Sequence, residues 1–120
     1  MERLKSHQEF VAVLKTRTKV GSRDIVAHYR VPSSSNADGE PRRRLGLAVS
    51  KAVGKAVTRN GVKRRFRQLA ARYEDQLPES CDVVLRAKPS ASHAEYAQLE
   101  EQIGGMFRRI SARTSATRDA

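Results

Sequence analysis

The strongest constraint on this chain is a basic segment, residues 42–72, that contains no acidic residue. The whole chain has 24 Lys and Arg against 13 Asp and Glu, a formal net charge of +11. Outside the segment thirteen basic residues balance thirteen acidic ones, so the segment carries the entire excess. Its eleven basic residues are Arg42, Arg43, Arg44, Lys51, Lys55, Arg59, Lys63, Arg64, Arg65, Arg67 and Arg72. Repulsion at this density opposes compact folding, and solvated surfaces normally mix both signs, so we expect an anionic partner, above all a nucleic acid.

A solubilising role and a membrane-binding role account for the charge less well. A surface that only keeps the protein soluble would not need to exclude every acid. An anionic membrane surface is disfavoured because the apolar stripes of the chain are needed for a core and leave no face for insertion.

Length and composition indicate one cytoplasmic domain. A chain of 120 residues falls within the single-domain range. It has no apolar run of about 18 residues, which a membrane-spanning helix would need, and its first residues do not form a secretory signal. A single cysteine, Cys81, cannot form an internal disulfide, and no Cys or His spacing predicts a metal site. We expect Cys81 to be a small buried residue.

The hydrophobic periodicity predicts an α+β fold, a two-layer α/β sandwich with a small mixed sheet. Its order is helix, strand, strand, strand, helix, strand, helix. A capping box at Ser6 and Glu9 opens the first helix, which extends to about Thr16. The sequence then predicts a short strand near residues 18–20, strands over 25–31 and about 45–49, and an exposed loop over 32–41. A helix is predicted from about Thr58, as its N-cap, followed by a buried strand over 82–86.

A second capping box, at Ser92 and Glu95, predicts the start of the last helix. Gly104 and Gly105 indicate a bend there or a close contact of that helix with the sheet. Its predicted core stripe consists of Tyr96, Leu99, Ile103, Met106, Phe107 and Ile110. We take residues 1–110 as the single domain and predict that residues 111–120 form a disordered tail.

The middle helix is predicted to have one packing face and one binding face. At about 100° per residue, the apolar residues span an arc of about 100° and the polar ones an adjoining arc of about 140°. The apolar set is Val62, Phe66, Leu69, Ala70 and Tyr73. The polar set is Arg59, Asn60, Lys63, Arg64 and Arg67.

No arrangement of residues in the sequence predicts catalysis by the protein itself. His7, His28 and His93 are scattered and adjoin no obvious nucleophile. The carboxylates stand apart, so a two-metal nuclease site is not indicated. Among the six aromatic residues, Phe10 and Tyr29 are the candidates for stacking on unpaired bases, whereas the others are expected in the core.

Residues 51–67, which read KAVGKAVTRNGVKRRFR, resemble the RNR signature of the bacterial ribonuclease P protein family. The resemblance extends to Arg3-Leu4-Lys5, to the strand sequence LGLAVSK over 45–51, and to the turn AKP over 87–89. The chain departs from the family pattern at Gly61, usually a larger residue, and at Phe66, usually aliphatic. It also has Leu14 where the family often has a second aromatic residue four positions after Phe10.

The resemblance implies a protein subunit that assists a catalytic RNA in removing the 5′ leader from precursor tRNA across many substrates. The RNA makes the cut and holds most of the Mg²⁺, so no protein residue is expected to be catalytic or to bind a metal. The residues implied to bind the RNA subunit are Lys51, Lys55, Arg59, Asn60, Lys63, Arg64, Arg65 and Arg67. Those implied to bind the single-stranded leader are Phe10, Leu14, Arg59, Asn60 and either His28 or Tyr29.

The resemblance also implies a left-handed crossover between the strand ending near Ser50 and the strand at Val83, although such connections are normally right-handed. We expect the protein to be monomeric before assembly. The sequence leaves two alternatives open: a ribosomal-type protein that scaffolds RNA, and a self-sufficient nuclease.

Overall fold

The computed structural model describes residues 1–31 and 41–119, with side chains up to residue 115. Within these residues the chain forms five strands and three α-helices. In chain order they are β1 (Glu2–Arg3), α1 (His7–Lys15), β2 (Lys19–Gly21), β3 (Ile25–Arg30), β4 (Arg43–Ala48), α2 (Ala56–Tyr73), β5 (Cys81–Ala87) and α3 (Tyr96–Asp119). Most of the predicted loop over 32–41 lies outside the described residues.

The five strands form one mixed sheet in the order β1-β4-β5-β3-β2. β4 is parallel to both β1 and β5, whereas β3 is antiparallel to β5 and to β2. The neighbouring parallel strands β4 and β5 are connected through α2, which makes them a βαβ unit. The predicted α+β fold with a small mixed sheet is confirmed, and β1 adds one short strand to the predicted order. The handedness of the crossover stays a prediction.

The two faces of the sheet carry different helices. One face presents alternate residues such as Tyr29, Leu45 and Leu85 to α2 and α3, and this side holds the main hydrophobic core. The large buried side chains of that core include Phe66, Leu69, Leu99, Ile103, Phe107 and Ile110. α1 covers part of the opposite face, where its Val13 is fully buried.

Two predicted helix starts are wrong. α2 begins at Ala56 with Lys55 as its N-cap, rather than after Thr58, and no side chain caps it. The second capping box does not form because Pro89 starts a short 3₁₀ turn, in which Ser92 Oγ donates to the carbonyl of Pro89 at 3.0 Å. By contrast, the predicted cap of α1 is confirmed: Ser6 Oγ accepts the Glu9 amide hydrogen at 3.1 Å.

α3 begins only at Tyr96, so that Gln98 Oε1 accepts the Glu95 amide hydrogen at 3.0 Å. Tyr96 is 40% exposed and therefore does not belong to the core stripe, whose other five predicted members are all fully buried.

Gly104, the first of the paired glycines of α3, faces α2. A Cβ on Gly104 would lie 3.4 Å from the ring of Tyr73, so the close contact is between helices. α3 is helical to Asp119, and the disordered tail predicted for residues 111–120 stays a prediction. Arg113 Nη1 ties this end to the carbonyl of Lys19 at 3.0 Å. Among the described residues, no helix is long and apolar enough to cross a membrane.

Candidate nucleic-acid interface

Three arginines of the basic segment are held by acidic or carbonyl partners from elsewhere in the fold. Arg44, on β4, is buried and donates from Nε and Nη2 to the two oxygens of Asp82 at 2.8 and 2.9 Å, and from Nη1 to Glu9 of α1. Arg43 donates to the carbonyls of Leu77 and Pro78, with Asp75 Oδ1 3.8 Å away. Arg72 Nη1 lies 2.8 Å from Glu100 Oε2. These three residues are therefore structural.

Seven other cations of the segment form no ion pair with any described residue. They lie on the turn over 51–53, on the N-cap of α2 and along α2 itself. This set, which we call the free cations, comprises Lys51, Lys55, Arg59, Lys63, Arg64, Arg65 and Arg67. With Asn60, it is the same set that the resemblance implied for RNA binding.

Most, but not all, of these side chains share one side of α2. Lys63 and Arg67 are four residues apart and line the same cavity. Arg65 lies roughly 160° around the helix from both of these residues, on the other side of the buried stripe. Its Nε donates a hydrogen bond to the carbonyl of Gly61 at 3.3 Å. Arg65 therefore belongs to a separate edge of the basic surface.

Two cavities flank Phe10 of α1. The first, of about 390 Å³, lies at the open edge of the sheet between α1 and α2, where Leu4, Phe10 and Gly46 face Lys63 and Arg67. The second, of about 480 Å³, lies where β4 and β5 end. Its lining consists of Phe10, Ala48, Val49, Ser50, Arg86, Ala87, Lys88 and Pro89. Because Phe10 borders both, we call the two cavities together the Phe10 groove.

The structure separates the residues implied to bind a leader. Phe10 is half-buried in the groove, whereas Leu14, Arg59 and Asn60 line neither cavity. His28 pairs with Val84 on the face that α1 covers. Tyr29 points to the opposite face and is only 6% exposed within the core, so it cannot form part of this surface. His28 lies on the α1 side, but it is itself only 7% exposed and lines neither cavity, so its contact with a leader stays a prediction.

His28 is in contact with a residue that the sequence analysis missed. Its Nε2 accepts a hydrogen bond from Arg86 Nε at 3.3 Å. Burial, followed by the charges of Arg86 and Lys19, lowers the pKa of His28 below its ordinary value. Because side chains alternate along a strand, Arg86 lies on the same face of β5 as Val84, and this alternation could have predicted its position from the sequence. The apolar run over 83–85 concealed it by indicating a strand buried on both sides.

The described acids do not assemble into a metal site. Among the residues with described side chains, no group of three or more His, Cys, Asp or Glu side chains could hold a metal ion. Cys81 is fully buried, and burial raises the pKa of its thiol to about 12. It is therefore a packing residue, as predicted.

Fold and surface together define the class of this protein: a small, basic α+β protein with a mixed sheet and a set of free cations, two of which border the Phe10 groove. The family model described as "Ribonuclease P" matches residues 1–111. The chain belongs to the ribonuclease P protein family, and so to the protein components of an endoribonuclease complex that processes tRNA.

Curated relatives support this family membership, and solved structures share the fold. The ribonuclease P protein component of Rhodococcus opacus is 38% identical over 110 residues, which cover 88% of this chain and 86% of the relative. That of Mycolicibacterium vanbaalenii is 40% identical over 114 residues, covering 95% and 93%. The ribonuclease P protein structure from Thermotoga maritima shares the fold, with a TM-score of 0.77 at 24% identity over 92% of this chain and 98% of that one. The Staphylococcus aureus structure gives a TM-score of 0.75 at 23% identity, covering 90% and 94%.

Proposed function

We propose that this protein is a non-catalytic subunit that helps a catalytic RNA to remove the 5′ leader from precursor tRNA. In this proposal the free cations bind the RNA subunit and the Phe10 groove holds the single-stranded leader. The observation that supports it most strongly is the position of Lys63 and Arg67. They belong to the free cations and also line the first cavity opposite Phe10.

The free cations suit a folded RNA whose sequence need not be read. Arg and Lys contacts to phosphate fix position and contribute affinity but carry little sequence information. Arg also pairs with phosphate through two parallel hydrogen bonds. Five of the seven free cations lie on α2, and Lys55 is its N-cap, so six of them are carried by one rigid element, five on one side and Arg65 on a separate edge. Such contacts would let one subunit serve many precursors.

The Phe10 groove suits an unpaired strand. Aromatic side chains stack on bases that are not in a duplex, whatever the base. A Cβ at Gly46 would lie 2.9 Å from Phe10 Cδ2, so the ring packs directly on the backbone of β4 and is held in place there. The groove thus offers an apolar wall on one side and cations from α2 on the other.

Cleavage is assigned to the RNA, with Mg²⁺ held mainly by its phosphate oxygens. Bound Mg²⁺ would stabilise the charge that develops on the phosphate during hydrolysis. The chain itself would bind and orient the two RNAs. We further propose that it acts in the cytoplasm and is monomeric until it joins the RNA.

Reconstitution tests the proposal. The protein is added at low Mg²⁺ to the ribonuclease P RNA of an organism that encodes one of the matched relatives, with precursor tRNA as substrate. We expect leader removal to depend on both components and to be faster than with RNA alone. Precursors with a leader should also bind the complex more tightly than mature tRNA. Cleavage by protein freed of all RNA would show a nuclease instead. Binding to ribosomal RNA without any stimulation of cleavage would favour a ribosomal-type scaffold.

A further inference from the structure

We propose that Arg86, oriented by His28, binds one phosphate of the single-stranded leader in the second cavity of the Phe10 groove. This inference rests on the proposed function, since it takes the leader as the occupant of the groove. It adds a contact on β5 that is separate from the free cations of α2. Arg86 is the binding residue, and His28 is its positioning residue.

Strand register brings the two side chains together. Arg86 of β5 pairs with Val26 of β3, and His28 lies two residues further along β3 on the same face. Diagonal neighbours of this kind are within reach of a long side chain. The hydrogen bond from Arg86 Nε to His28 Nε2, at 3.3 Å, is therefore favoured by the backbone arrangement.

His28 is suited to orient a guanidinium. It is only 7% exposed, so its ring is fixed by packing. To accept from Arg86, Nε2 must carry a lone pair, which makes the imidazole neutral with its proton on Nδ1. The lowered pKa of His28, caused first by burial, agrees with a neutral ring at pH 7. The bond engages only Nε, and both terminal nitrogens of Arg86 remain available.

Arg86 is also free of acids, unlike the arginines at the other end of this face. There, Arg30 and Arg44 both donate to Asp82, and Arg44 reaches Glu9 as well. Arg86 is exposed and forms no ion pair with any residue whose side chain is described. The sheet face under α1 is thus neutralised at one end and positively charged at the other.

Among the residues that line the second cavity, Arg86 is the cation that remains available to bind a phosphate. Lys88 is the other cation there, but its Nζ donates to the carbonyl of Ser22 at 2.7 Å. The remaining lining includes Phe10, Val49 and Pro89, which offer apolar surface to a base. A volume of about 480 Å³ lies within the range of sites for small organic ligands. A guanidinium beside such a surface can bind the phosphate of a nucleotide whose base stacks on Phe10.

A scan with neutral linkages tests the contact. Precursor tRNAs carry a methylphosphonate, which lacks the phosphate charge, at one leader linkage at a time, and binding to the reconstituted complex is measured. With the unchanged protein we expect one linkage, or two adjacent ones, to lose about tenfold in affinity, because a hydrogen bond to a charged group is removed. With Arg86→Gln that local loss should disappear, while the fully charged precursor binds about tenfold more weakly.

Matched variants separate local binding from general charge and from folding. Arg108→Gln makes the same charge change on an exposed residue of α3, across the sheet, and should keep the position-dependent profile. His28→Gln retains an acceptor and should keep part of the profile, whereas His28→Leu removes the acceptor and should flatten it. Thermal unfolding of each variant identifies any that fails to fold. Because Arg86 is exposed, Arg86→Gln carries the test even if a His28 variant is lost.

Three results would overturn the inference. An unchanged profile in Arg86→Gln would show that Arg86 does not touch the leader. A loss spread equally over all linkages would show a long-range field rather than a contact. If the unchanged protein does not distinguish precursor from mature tRNA at all, the proposed function itself fails. The first two results leave that function intact, so the two failures are distinguishable.

Discussion

Asp82 is a single residue on which the packing of α1 depends. It is fully buried on β5, and its carboxylate accepts hydrogen bonds from Arg30 and Arg44. Arg44 also pairs with Glu9 of α1, so α1 is attached to the sheet by an ion pair as well as by the buried side chain of Val13. Burial alone would lower the pKa of Arg44, but the hydrogen bonds and charges of Asp82 and Glu9 outweigh it and raise the pKa. The guanidinium thus stays charged inside the fold.

Replacing Asp82 should therefore destabilise the protein strongly. Asp82→Ala leaves Arg44, only 4% exposed, with its main partner removed, and such changes cost about 3–5 kcal/mol. Arg72→Ala is the comparison, because it removes an ion pair with Glu100 whose arginine side chain is 64% exposed. An exposed pair contributes only about 0.2–1 kcal/mol. Denaturant titrations give both free energies of unfolding. Equal losses would mean that water reaches Arg44 and replaces the carboxylate.

At the scale of elements, the contact of α1 with β4 depends on the absence of a side chain at Gly46. A Cβ there would lie 2.9 Å from both Leu4 Cδ1 and Phe10 Cδ2. We predict that Gly46→Ala displaces Phe10, destabilises the fold by about 1–3 kcal/mol, and weakens binding of the leader. Unfolding titrations and precursor binding measure the two effects.

Gly21→Ala provides the matched control for Gly46→Ala. Gly21 also lies on a strand, but a Cβ there would meet nothing within 4 Å and its φ is not positive. Its unfolding free energy should change by no more than about 0.5 kcal/mol. If Gly46→Ala behaves in the same way, α1 can shift without strain and does not fix Phe10.

Helix boundaries show which elements could be predicted from sequence. The start of α1 was predictable because the Ser6 side chain caps the Glu9 amide three residues later, a purely local hydrogen bond. The start of α2 was not, since Lys55 caps it without any side-chain hydrogen bond. The start of α3 was misplaced because Pro89 opens a turn that takes up Ser92 first. Local signals failed where no side chain capped the helix or where a neighbouring turn competed.

At the scale of the whole molecule, the basic segment was predictable but the subset of free cations was not. Arg43, Arg44 and Arg72 pair with Asp75, Asp82 and Glu100, all of which lie outside the segment in sequence. Only the folded chain brings these acids to the segment. Similarly, alternation places His28 and Tyr29 on opposite faces of β3, but sequence does not say which face α1 covers. The position of Arg86 in the groove depends on the same tertiary information.

The division of the segment into free and paired cations predicts how RNA binding depends on salt. If about six phosphates are neutralised, the logarithm of affinity should fall with the logarithm of salt concentration at a slope of about −5. Arg59→Ala combined with Arg64→Ala removes two free cations and should flatten the slope by about two units. Arg43→Ala combined with Arg72→Ala removes the same charge from paired positions and should leave the slope unchanged. Titrations of the RNA subunit over a KCl series give the slopes. Equal flattening in both double variants would mean that total charge, rather than the free cations of the turn and α2, governs binding.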